Sequence, residues 1–203
     1  MIRSLFLASN SPRRVQLLAQ LGFEFTVCTP QSQETHLKQG SDDEIVRVVS
    51  ENALQKALSV LPTIEEGIIL GGDTLVVTDG NVVLGKPKTP EEAFKMLQKL
   101  VGRTHRVISA IAVVEVTKRK IRQGHVWTKV TFRHVSEQAL SEYVLTREPL
   151  GKAGGYAIQG KGAFLVNEIE GSYTSVIGLP TELVVSLLSE FGITPLPSSG
   201  SRI

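Results

Sequence analysis

Two long runs rich in β-branched residues, Arg106–Val116 and Arg122–Phe132, flank a short polar stretch around Lys118-Arg119. So short a link allows only an antiparallel pairing, because a parallel return needs a crossover of about a dozen residues or more. A second antiparallel signal is the pair Leu75–Val77 and Val82–Leu84 around the turn Thr78-Asp79-Gly80-Asn81. Elsewhere strands and helices alternate. Leu5–Ala8 reads as a short buried strand. A helix follows, with Ser11 at its cap, Pro12 at the first helical position and Gly22 at the stop. Phe23–Cys28 reads as a strand and Thr29–Gly40 as a polar loop. Ser41-Asp42-Asp43-Glu44 has the capping-box spacing, and its helix runs to about Val60 with Ile45, Val48 and Val49 buried. Ile68–Leu70 reads as a buried strand ending in Gly71-Gly72-Asp73-Thr74. Thr89-Pro90-Glu91-Glu92 and Ser136 open two further helices. A Gly-rich stretch from Gly151 to Gly162, a strand over Phe164–Ile169 and a helix over Pro180–Phe191 complete the chain. Interleaved elements with two antiparallel signals predict an α/β fold with a twisted mixed sheet flanked by helices.

The chain has 203 residues, enough for one hydrophobic core or two small lobes sharing a sheet. It reads as a single domain over 1–193, followed by a flexible Pro/Ser/Gly-rich tail over 194–203. The formal charge is only +2, so any anion site is local; a general nucleic-acid or membrane binder would be far more basic. The single cysteine, Cys28, excludes an internal disulfide framework and a Cys-based zinc cluster. The apolar run at the start is too short for a signal peptide, and none approaches the ~20 residues that span a bilayer. The expectation is a cytoplasmic protein with no nucleic-acid or membrane partner.

Four segments carry candidate chemistry. In Ser9-Asn10-Ser11-Pro12-Arg13-Arg14 a strand meets a helix N-terminus, where free N–H groups and the helix dipole attract anions. Two arginines there are electrostatically unfavourable unless an anion joins them, and guanidinium groups grip phosphate with paired hydrogen bonds. The same text also suits a capped helix with surface arginines. Asp73, directly after a buried strand, is placed at a sheet edge where it could hold a metal or accept a proton from water; a turn aspartate bonding its own backbone fits as well. Lys86 in Gly85-Lys86-Pro87 could neutralise phosphate charge or simply be solvated. In Gly154–Gly162, Gln159 could read a base edge, or the stretch could be a flexible surface loop. Glu34 is a further acidic candidate in the polar loop. Cys28 and Trp127 read as core, and His36, His105, His125 and His134 lack metal-ligand spacing.

Taken in order, these segments resemble the Maf family of nucleoside triphosphate pyrophosphatases. The matching text is Leu7–Arg14, Gly71–Thr74, Leu84–Pro87, Gly102–His105, Thr128–Phe132, Lys152–Gly162, Ile169–Tyr173 and Val176–Pro180, spread over residues 2–192. The resemblance implies the fold of the inosine triphosphate pyrophosphatases, a twisted mixed sheet with a central cleft between two lobes. It implies water attack on the α-phosphorus with Mg²⁺ or Mn²⁺, leaving a nucleoside monophosphate and pyrophosphate. Ser9, Arg13, Arg14 and Thr74 would then bind substrate. Asp73, the general base, and Glu34 would carry the metal and water chemistry, with Lys86 neutralising phosphate charge. Tyr156-Ala157-Ile158-Gln159 resembles the subgroup acting on dTTP and UTP, which clears non-standard pyrimidine nucleotides. The alternatives are 7-methyl-GTP as substrate, or a nucleotide-binding regulator of cell division without catalysis. A homodimer is also implied.

Overall fold

The computed structural model describes residues 4–195. Its elements are β1 (Leu5–Ala8), α1 (Pro12–Gln20), β2 (Thr26–Cys28), α2 (Asp42–Val60), β3 (Ile68–Val77), β4 (Val83–Leu84), α3 (Pro90–Gln98), β5 (Thr104–Glu115), β6 (Ile121–Phe132), α4 (Glu137–Leu145), β7 (Val166–Glu170), α5 (Tyr173–Ile177) and α6 (Thr181–Ser189). They build one open seven-stranded sheet in the order β2-β1-β3-β5-β6-β7, with β4 also on β3. β1 pairs parallel to β2 and β3, and every other pairing is antiparallel. The α/β mixed sheet is therefore as expected. Among the described residues no helix is long and apolar enough to cross a membrane.

The sheet separates two apolar layers. On one face α1, α3, α4, α5 and α6 pack over Ile68, Leu70, Ile111 and Val113. On the other lies α2, whose Ile45, Val49, Ala53 and Ala57 meet Ile69, Val77, Ile108, Ala110 and Ala112. The α2 capping box forms as the sequence predicts: the Glu44 N–H donates to Ser41 Oγ, and the Ser41 N–H donates to Glu44 Oε2.

Several expectations change. The strand assigned to Ile68–Leu70 continues unbroken through Gly71-Gly72-Asp73-Thr74 to Val77, because β5 pairs with it along its whole length. Asp73 sits within a strand and not in a turn after one. Only the opposite edge is interrupted: β1 covers β3 up to Gly71, and β4 resumes at Val76. The strand expected from Phe23 begins at Thr26, since Phe23 turns into the core instead. Lys161–Leu165 forms a tight helical turn before β7, so that strand starts at Val166. The short helix α5 has no counterpart in the sequence reading. Ser11 occupies the cap position of α1 without its side chain capping. Cys28 and Trp127 are only partly buried, the first on an outer strand and the second beneath the Arg106 guanidinium. Of the expected tail only Thr194 and Pro195 fall within the described residues, outside helix and strand.

Gly71 sets how close α2 lies to the sheet. A Cβ there would collide with the Ala53 carbonyl and press on Ala57. Gly71→Ala is therefore expected to lower stability by about 1–3 kcal/mol, read from urea unfolding midpoints.

Candidate active site

The gap between β1 and β4 leaves β3 without a strand partner on one edge over Gly72–Leu75, and the cleft opens there. Successive residues of a strand point to opposite faces. Asp73 faces α2, and Thr74 faces α1 and α5. Asp73 is only 4% exposed, so its carboxylate needs partners. Lys56 Nζ donates to Asp73 Oδ1 at 2.7 Å and reaches Glu34 Oε1 at the same distance. Asn52 Nδ2 donates to Asp73 Oδ2 and to the Thr35 carbonyl, while Asn52 Oδ1 accepts the Thr35 N–H. One turn of α2 thus fixes Asp73 and ties down the loop that carries Glu34. Burial pushes the Glu34 carboxyl up, but Lys56 and Lys86 outweigh it and hold it below the usual range.

On the other face, Arg14 is buried against Gly72. Its Nε donates to the Gly178 carbonyl at 2.8 Å and its Nη2 to Thr74 Oγ1 at 3.1 Å. Ser109 spends its proton on the Ser175 carbonyl, so the Thr74 hydroxyl donates to Ser109 Oγ. Arg13, half-buried, gives Nε to the Ile177 carbonyl, and among the described residues its terminal nitrogens have no hydrogen-bond partner. Burial lowers both guanidinium pKa values from their ordinary range. Ser9 Oγ accepts the Ser11 N–H and shapes the turn into α1.

The cleft has a volume of about 550 Å³. Every site residue singled out from the sequence borders it: Ser9, Arg13, Arg14, Glu34, Asp73, Thr74, Lys86 and Gln159. Lys56 and Lys152 border it too, and the sequence reading passed over both. Lys56 and Asn52 did carry a signal. They interrupt the apolar stripe of α2 at helical spacing, where a polar residue needs a buried partner. Among the described residues no three His, Cys, Asp or Glu side chains group as a metal site. The two carboxylates nevertheless converge on one cation already, the Lys56 ammonium.

The Maf-like protein family matches residues 4–191. The chain belongs to the Maf family. It is 42% identical to the dTTP/UTP pyrophosphatase of Dictyoglomus turgidum over 198 residues, covering 97% of this chain and 100% of that protein. It is 45% identical to the dTTP/UTP pyrophosphatase of Moorella thermoacetica over 192 residues, 93% of this chain and 95% of that protein. The dTTP/UTP pyrophosphatase of Bacillus cereus is 41% identical over 192 residues, 95% of this chain and 97% of its own length.

In this Maf protein the Gly-rich wall of the cleft is built on a buried aromatic cluster. His105, Phe132 and Tyr156 meet edge to face, with ring centroids 4.8–5.5 Å apart. His105 Nε2 lies 2.9 Å from the Tyr156 hydroxyl, whereas Nδ1 is buried and has no hydrogen-bond partner among the described residues. One proton is shared across the contact with Tyr156, and which of the two groups donates it depends on the imidazole tautomer. Burial lowers the His105 pKa to about 4. The unfolded chain takes that proton near pH 6.5, so it binds more protons than the folded chain between about pH 6.5 and 4. Stability is thus full above that window and falls as the pH drops through it. From pH 7 to pH 5 the expected loss is about 2 kcal/mol. Denaturant unfolding at the two pH values checks it, and His105→Gln should flatten the difference.

Proposed function

We propose that this Maf protein hydrolyses dTTP and UTP to the nucleoside monophosphate and pyrophosphate. One observation carries the reading: a buried carboxylate, Asp73, faces a cleft bordered by five cationic side chains and only one other carboxylate, Glu34. A triphosphate carries about four negative charges near neutral pH, which suits that imbalance. Relatives named dTTP/UTP pyrophosphatase, aligned over nearly their whole length, support the substrate class.

The free terminal nitrogens of Arg13, with Arg14 and the N-terminus of α1, bind the phosphate chain. Thr74 and Arg14 hold each other by hydrogen bond and fix that end of the cleft. Lys86, exposed and 3.5 Å from Glu34, offers its charge to phosphate oxygens. Asp73 takes a proton from the attacking water as the new P–O bond forms at the α-phosphorus. The bond from that phosphorus to the bridging oxygen breaks, and pyrophosphate leaves with the electron pair. Glu34 and Asp73 are the residues that would hold Mg²⁺ or Mn²⁺ with the substrate's own oxygens, a ligand set typical of Mg²⁺ at phosphates. Such an ion lowers the pKa of water and neutralises phosphate charge. Gln159, exposed at the border of the cleft, meets the base with an amide that both donates and accepts.

Turnover of a nucleotide panel with Mg²⁺ tests the reading. dTTP and UTP should be the preferred substrates, and faster turnover of 7-methyl-GTP would refute that choice. Asp73→Asn should lower kcat by roughly 10²–10⁴-fold while nucleotide binding persists.

A further inference from the structure

The segment that meets the base is held from outside the cleft. α4 ends at Leu145, and Arg147 adopts a left-handed backbone, φ 59°, that turns the chain sharply before Glu148. The Glu148 N–H donates to Thr146 Oγ1, which steadies the turn. From there the carboxylate reaches beneath the Gly-rich loop. Its Oε1 accepts the Lys161 N–H at 3.0 Å, and its Oε2 accepts the Gly162 N–H at 2.9 Å. The Tyr143 hydroxyl stands near the same carboxylate, whose charge adds to burial in pushing the Tyr143 pKa up, and its oxygen accepts the Ala157 N–H at 3.2 Å. The two side chains therefore grip the loop on both sides of Ile158-Gln159. Neither borders the cleft. Gly162 marks how tightly they close: a Cβ there would lie 2.5 Å from the Tyr143 hydroxyl and 2.9 Å from the Ala157 nitrogen.

We infer that Tyr143 and Glu148 are positioning residues that fix Gln159 against the base, and so set base affinity and selectivity without touching substrate. The inference rests on the proposed role of Gln159. A floppy loop would have to be ordered at the moment of binding, and that entropy would be subtracted from base recognition. Here the hydrogen bonds already order it in the free protein. The loop N–H groups of Ala157, Lys161 and Gly162 all end on this one pair, so loosening either member lets the exposed Gln159 move while Tyr156 and Ile158 stay anchored in the core. The phosphate end has its own supports in Thr74, Ile177 and Gly178, which the pair does not touch.

Steady-state kinetics on the full chain separate the two ends. UTP and GTP report the base, and competition by inorganic tripolyphosphate reports the phosphate site alone. Tyr143→Phe keeps the ring and deletes the hydroxyl. Its KM for UTP should rise roughly tenfold, the loss expected for one hydrogen bond, with kcat little changed. The preference for UTP over GTP should fall with it, and tripolyphosphate inhibition should stay at the wild-type value. Glu148→Gln keeps one acceptor but turns an NH2 donor toward the other loop N–H, and should move in the same direction by at least as much. An unchanged preference in both variants, or a tripolyphosphate affinity that falls in step with UTP, overturns the positioning role. Absence of UTP turnover in the unsubstituted chain overturns the base reading itself.

Discussion

β3 has a continuous partner on one edge and a broken one on the other. β5 follows it through ten residue pairs, and most of the strand is buried. On the far edge β1 stops at Ala8 and β4 starts at Val83, and the stretch between them is open. A strand in that position does two things that a loop could not. It is rigid, and it sends adjacent side chains to opposite faces of the sheet. Asp73 is therefore delivered to the α2 layer and Thr74 to the α1 and α5 layer, yet both border a single cleft.

The charges follow from that geometry. A buried carboxylate is costly unless paired and hydrogen-bonded, and Lys56 with Asn52 meets both needs of Asp73. The same ammonium holds Glu34, which ties the polar loop to the sheet. Across the notch, Arg14 is fixed by the carbonyl of Gly178 and the hydroxyl of Thr74. Carboxylates and guanidiniums stay separated by the strand. One region can therefore serve water chemistry, and the other can serve phosphate binding.

Much of this was legible in the sequence. Apolar periodicity, the capping box at Ser41 and the hairpin signals predicted the mixed sheet. The ordered motifs singled out Ser9, Arg13, Arg14, Asp73, Lys86 and Gln159, all of which border one cleft. What escaped depends on tertiary pairing. Gly71-Gly72-Asp73 looked like the end of a strand because glycine and aspartate are poor strand formers, and only β5 overrides that preference. Lys56 and Asn52 interrupt the apolar stripe of α2, but nothing local says that Asp73 is the partner beneath them. Glu34 was the weakest candidate on sequence grounds, because its role rests on Lys56, a partner distant in the chain. Glu148 and Tyr143 carry no motif. Their part comes from backbone N–H groups of a loop that reads as flexible until its hydrogen bonds are traced.

The central claim is that this cleft directs water to the α-phosphorus and releases pyrophosphate. Hydrolysis of UTP in water labelled with heavy oxygen, followed by mass spectrometry of the products, tests it most directly. The label should enter the nucleoside monophosphate, with none in the pyrophosphate. Label in pyrophosphate, or release of orthophosphate with a nucleoside diphosphate, would contradict the account.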